Sequence, residues 1–155
     1  MTPCTFADSL TNAEKACRTA IARIFDGSLK VYRFANPGVP DCAVFDIGHS
    51  QTGDLNLCHA DSYHWRATLE IFSRDHDQLQ RHIMQLLEAL PINFNYSPDD
   101  ELRESSNVLL FRVAPEAQAI GDITTASVAP PQGGAEVPAY SVTIQFDVVF
   151  AVRFE

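Results

Sequence analysis

The sequence predicts an α+β fold of two layers, a mainly antiparallel sheet with two helices packed on one face. Three observations predict it. In residues 63–72 (YHWRATLEIF) Tyr63, Trp65, Ala67, Leu69 and Ile71 alternate with His64, Arg66, Thr68, Glu70 and Phe72. One face of that strand is apolar and the other mostly polar, the pattern of a sheet covered on one side. Directly after it, HDQLQRHIMQLLEAL places Leu79, Ile83, Leu86, Leu87 and Leu90 at helical spacing. The C-terminal run then alternates for 15 residues, from Tyr140 to Phe154, long for a globular strand. A strand that passes straight into a helix can fold its apolar face against that helix, which gives two layers at once.

The elements follow in order. A first helix is expected from Thr11 to Asp26. Thr11 with Glu14 fits a capping box, Cys17, Ala20, Ile21, Ile24 and Phe25 form one apolar stripe, and Gly27 suits the left-handed residue that ends a helix. Residues 1–10 are then a flexible arm or a helical extension. Leu29–Phe34 and Cys42–Ile47 are strands that could pair as a hairpin across the breakers Pro37, Gly38 and Pro40. A polar loop spans His49 to Ser62. After the central strand, Asp75 with Gln78 caps the second helix and Pro91 closes it. A loop rich in Asn, Asp, Ser and Pro leads to a strand at Val108–Val113, and a further strand is expected around Ile120–Val128. Residues 129–136 (APPQGGAE) form a flexible hairpin loop. In the last strand Tyr140, Val142, Ile144, Phe146, Val148, Phe150, Val152 and Phe154 share one face, and Ser141, Thr143, Gln145, Asp147, Arg153 and Glu155 the other.

Composition narrows the functional classes. At 155 residues the chain is expected to be one domain, 1–155. Its net charge of -9 and eleven scattered basic residues argue against a nucleic-acid binder, which needs clustered Lys and Arg. Cys4, Cys17, Cys42 and Cys58 show neither CxxC nor zinc-type spacing, so they are expected to be reduced thiols of a cytosolic protein. The first residues do not resemble a signal peptide. The longest apolar run, Val148–Val152, falls far short of the roughly 20 residues of a membrane helix.

Few residues suggest chemistry. His49, His59 and His64 lie in or beside the long loop with Cys58, Asp54 and Asp61. These are ligand types for a transition metal, but their spacing is not that of a structural zinc site, and solvated loop histidines are the expectation. His76 and His82, six residues apart on one helix, point in different directions. Asp46, Glu70 and Asp147 lie within strands and could approach as a carboxylate pair, although solvation on the polar face is expected. Gly133-Gly134 lacks the Lys and the helix of a phosphate loop. Trp65 is expected in the core or an interface, with a partner for its indole N–H. No nucleophile elbow or activated cysteine context is present. No catalytic, cofactor-binding or metal residue is therefore expected, and the chain is not expected to be an enzyme. The alternative is a small α+β ligand-binding protein or metal-dependent enzyme using the loop histidines.

The central segment YHWRATLEIFSRDHDQLQRHIMQLLEAL resembles the strand–helix core of siphophage and prophage tail-terminator and tail-completion proteins, among the minor tail and head–tail joining proteins. NAEKACRTAIARIF is similar to their first helix and YSVTIQFDVVFAVRFE to their last strand. The loops 48–62 and 91–106 are longer than that pattern. The resemblance implies a structural subunit that forms a ring, hexameric in expectation, on the end of the tail tube. Its partners would be further copies of itself, the tail-tube protein and the head connector, with no membrane and no sequence-specific nucleic acid. Loops 48–62 and 129–136 would lie at interfaces. The subunit would be cytoplasmic during assembly and then part of the virion neck. An acidic lumen would let DNA slide through without sticking.

Overall fold

The computed structural model describes residues 6–51, 62–92, 94, 100 and 107–151. Helix α1 spans Phe6–Phe25, strands β1 Val31–Arg33, β2 Cys42–Gln51 and β3 Ser62–Ser73, helix α2 His76–Ala89, and strands β4 Val108–Val113, β5 Thr124–Val128 and β6 Val137–Ala151. The six strands form one sheet in the order β1-β2-β3-β6-β4, with β5 also paired to β6. The two helices lie on one face of this mainly antiparallel sheet, the α+β arrangement expected from the sequence.

The long strands build the centre. β3 and β6 pair without interruption from Ser62↔Ala151 to Ser73↔Tyr140. Alternation then fixes which side chains face the helices. Trp65, Ala67, Leu69 and Ile71 of β3 and Val142, Ile144, Phe146, Val148 and Phe150 of β6 are all buried. From α1 come Ala13, Cys17, Ala20, Ile21 and Phe25, and from α2 Leu79 and Leu86, joining Phe45 of β2 and Phe111 of β4 in one continuous core. Phe111 packs on Phe146 at 4.9 Å and edge-on against Phe45 at 6.2 Å. Segment 108–128 runs the length of β6 as an interrupted strand: β4 pairs Val113 with Phe146, Ile120 bridges Ile144, and β5 pairs Thr124 with Ser141.

Several expectations need correction. α1 begins at Phe6, so 6–10 are a helical extension and Thr11 lies inside the helix, where it cannot cap. Glu14 is not a capping partner. It is buried at 2% exposure, with Arg18 Nε at 3.1 Å and Arg33 Nε at 3.5 Å. The segments at 29–34 and 42–47 do not form a hairpin: β1 pairs with β2 in parallel, Val31 opposite Ala43. The turn between them does not reverse the chain tightly. Phe34 is left-handed at φ 71°, and Asn36 Oδ1 accepts from the N–H groups of Gly38 and Val39, so the chain swings round and re-enters in the same direction. β2 continues to Gln51, which moves His49 from loop to strand. The fifth strand is shorter than expected, starting at Thr124.

α2 starts as expected, with Asp75 accepting from the N–H of Asp77 at 2.9 Å and of Gln78 at 3.5 Å. Its buried stripe is Leu79, His82 and Leu86, while Leu87 is 38% exposed. Within this stripe His82 packs edge-on against Phe25 of α1 at 5.3 Å. The tip of the β5–β6 hairpin, with Gly133 and Gly134 at positive φ, lies against the 34–41 turn: a Cβ on Gly38 would sit 2.6 Å from Pro131 Cδ.

Candidate functional site

Among the described residues, the face of the sheet away from the helices gathers a close group of charged side chains. Register explains why. Arg66 of β3 and Arg112 of β4 both stand opposite Asp147 of β6, so a carboxylate sits between two guanidiniums on adjacent strands. His64 lies one step diagonally on. Its Nε2 is 3.2 Å from Asp147 Oδ2, Arg112 Nη2 is 3.3 Å from the same oxygen, and Arg66 Nη2 is 3.6 Å from Oδ1. Asp147 is only 2% exposed, which corrects the expectation that it would be solvated. The long side chains of its neighbours cover it.

Arg66 also reaches outward. Its two terminal nitrogens donate to Glu116 at 3.0 and 2.5 Å, and one donates to Gln145 Oε1 at 3.1 Å. The bidentate fork holds the Glu116 carboxyl down at about 2 and raises Arg66 in turn. Glu116 belongs to the segment between β4 and β5, so the fork ties that segment to the sheet. The set balances: Asp147 and Glu116 oppose Arg66 and Arg112. The packing is not perfectly complementary. Asp147 Oδ1, His64 Nε2 and Arg112 Nε are buried without a well-directed hydrogen bond.

The other candidates are dispersed. Asp147 is not a member of a carboxylate pair. Glu70 stands opposite Thr143, four positions along β6 from Asp147, roughly 13 Å away at strand spacing. Burial raises the Glu70 carboxyl. Asp46 lies opposite Thr68 on β2. His76 packs edge-on to Tyr140 at 5.3 Å and His82 points into the core, so they diverge as the helical spacing requires. The Trp65 indole N–H donates to the Gly48 carbonyl oxygen. Asp54, Cys58, His59 and Asp61 lie outside the described residues, as does the side chain of His49. Among the described residues no three His, Cys, Asp or Glu side chains converge to hold a metal.

The thiols are shielded. Cys17 and Cys42 are buried and unbridged. Burial, with Glu14 nearby, pushes Cys17 up, and burial with Asp41 and Glu70 pushes Cys42 to about 11, so neither offers a thiolate. A groove of about 640 Å³ runs along the outer flank of α2 between Ser28, Asp77, Arg81, Met84 and Glu88. It is open and carries many charged and amide side chains, unlike the enclosed clefts that bury small ligands.

Sequence reasoning did not single out Glu116 or Arg112; it placed His64 on the polar face of the central strand, beside the loop, and did not join it to Asp147. Alternation puts His64, Arg66 and Asp147 on one face of their strands. That Asp147 faces Arg66 and not Glu70 depends on the register of β3 with β6, which are far apart in sequence and share no turn that would set it. No protein-family model and no curated protein matches the chain.

Proposed function

We propose that the chain is a structural phage or prophage virion subunit, a tail terminator or head–tail joining protein, that closes as a ring on the tail tube. The observation that carries this reading is the state of its ionisable groups. The acids best placed for chemistry are occupied by arginines: Asp147 by Arg66 and Arg112, Glu116 by Arg66, and Glu14 by Arg18 and Arg33. A general base must be free and titrate near the working pH, and a carboxyl held at about 2 does not. Ion-paired groups on a rigid sheet suit a protein whose function is shape and contact.

Two further features support the reading. The order α, β, β, β, α, β, β, β is that of the resemblance, save that a parallel β1–β2 pair stands where it expects a hairpin. No helix among the described residues is long and apolar enough to cross a membrane. In this reading the partners are further copies of the chain in a ring, taken as a hexamer, together with the tail-tube protein and the head connector. The ring assembles in the cytoplasm and ends in the virion neck. Its lumen is acidic, so that DNA passes without adhering. A ring structure with the acidic side chains facing outward would remove that last element.

The test is polymerisation of the cognate tail-tube protein with and without this chain. Short tubes bearing the chain at one end are expected. Tubes of unchanged length that leave the chain in the supernatant would refute the proposal.

A further inference from the structure

Residues 115–118 (PEAQ) leave the sheet between β4 and β5 and are all exposed, while Ala114 and Ala119 on either side are buried at 5% and 3%. Both ends of this excursion close on one residue of β6. The Ala114 N–H donates to the Gln145 carbonyl oxygen at 2.9 Å, and the Gln145 N–H donates to the Ala119 carbonyl oxygen at 2.7 Å. Between these ends the Ala119 N–H donates back to the Glu116 carbonyl oxygen at 3.1 Å. Among the described residues no backbone hydrogen bond joins 115–118 to a strand. A segment closed at its base and bare of ladder bonds along its length can open locally while the sheet stays folded.

A side chain holds it down. Glu116 reaches across β6 to Arg66 of β3 and accepts from both terminal nitrogens of its guanidinium. The sheet sets that guanidinium in place: Asp147 Oδ1 lies 3.6 Å from Nη2, and the Gln145 side chain accepts from Nη1 at 3.1 Å. The fork is therefore fixed, while its occupant comes from an exposed segment. The Glu116 side chain is 53% exposed and that of Arg66 21%, so ions in solution reach the pair and compete for it. A proton does not compete in the neutral range, because the carboxyl is held at about 2. With Glu116 withdrawn, Arg66 and Arg112 face Asp147 alone, a local excess of positive charge on a chain of net charge -9. A planar guanidinium with that surplus pairs with an anion that offers two oxygens.

We infer that residues 115–118 form a strap latched across β6 by Glu116 and Arg66, and that an oxyanion from solution releases it by taking the place of Glu116 on the Arg66 fork. Glu116 is then an internal stand-in for that ligand, which binds only as tightly as the closed strap allows. The strap works within one chain, whether or not the chain assembles on a tail tube, so its failure would leave the ring proposal untouched.

The Gln145 backbone N–H reports the closed strap, because its acceptor is the Ala119 carbonyl oxygen. Its hydrogen exchange, followed by NMR on the full chain at neutral pH and read against the amides of the β3–β6 ladder, tests the latch. Glu116→Gln keeps the shape and removes the charge. Arg66→Lys keeps the charge and removes the fork. Each is expected to speed exchange at Gln145 by about two- to fivefold, with the ladder amides unchanged. In the parent, sodium sulfate is expected to speed the same amide at lower ionic strength than sodium chloride, because chloride screens the pair and sulfate also fits the fork. Sulfate otherwise strengthens folded structure, so acceleration at this amide is diagnostic. In Glu116→Gln neither salt is expected to speed it. Either variant exchanging at the parent's rate, sulfate and chloride acting alike on the parent at equal ionic strength, or Glu116→Gln responding to sulfate as the parent does would each overturn the inference.

Discussion

Asp147→Asn removes the charge at the centre of the outer-face cluster while keeping its shape. In the folded protein Asp147 is 3% exposed at its side chain, and the side chains around it are 31% (His64), 21% (Arg66) and 42% (Arg112) exposed. Removing one member of a fully buried ion pair costs about 3–5 kcal/mol, since the remaining charge is stranded. Here the cations can turn toward water, and Arg66 keeps its fork to Glu116. The loss is then that of charge-assisted contacts, about 2 kcal/mol. For a chain of this size that lowers Tm by about 4–8 °C. Thermal melts followed by circular dichroism at low protein concentration would measure it. A cycle with Arg112→Met would show coupling, the double variant losing less than the sum of the single losses. A loss below about 0.5 kcal/mol, in the range of ordinary surface substitutions, would refute the claim that this carboxylate organises the outer face.

The remaining predictions address other parts of the fold. Gly38→Ala is expected to cost more than about 2 kcal/mol, because φ is 101° and its Cβ would meet Pro131 Cδ at 2.6 Å and the Ala129 carbonyl oxygen at 2.7 Å; urea unfolding measures it. Asp75→Ala removes the α2 cap and should cost about 1 kcal/mol in the same assay. Glu70 is raised by burial, so its folded form favours the proton and its ionisation lowers stability as pH rises through the folded pKa; Glu70→Gln should raise Tm at pH 7 and lose that advantage below the normal carboxyl range. Cys42, held at about 11, and Cys17 should resist a thiol reagent at pH 8 in the folded protein and react when it is denatured; rapid native labelling at either would contradict their burial.

Local rules carried much of the architecture. The alternation of Tyr63 to Phe72 and of Tyr140 onward assigned the core faces of β3 and β6, because a period of two leaves little ambiguity once one face is apolar. Asp75 was legible as a cap because capping is a contact between near neighbours in sequence. What failed depended on distant partners. Glu14 looked like a cap because three residues separate it from Thr11, yet Arg33 draws it into the interior. β1 looked like half of a hairpin because the 35–41 turn is short, yet Asn36 and the left-handed Phe34 redirect the chain into parallel pairing. Leu87 looked buried and is exposed, while His82 takes a place in the stripe, since spacing gives the width of a stripe and not where the helix rests on the sheet. The outer-face cluster was legible only as separate polar residues, because the register that gathers Arg66, Arg112 and Asp147 belongs to pairings across the whole chain.

Electron microscopy of tail tubes assembled with this chain tests the structural-subunit assignment most directly. The account predicts one added ring at a tube end, built of copies of this chain in cyclic symmetry, with no further tube growth beyond it. Tube ends without added density, together with a chain that remains monomeric in the presence of tubes, would contradict it.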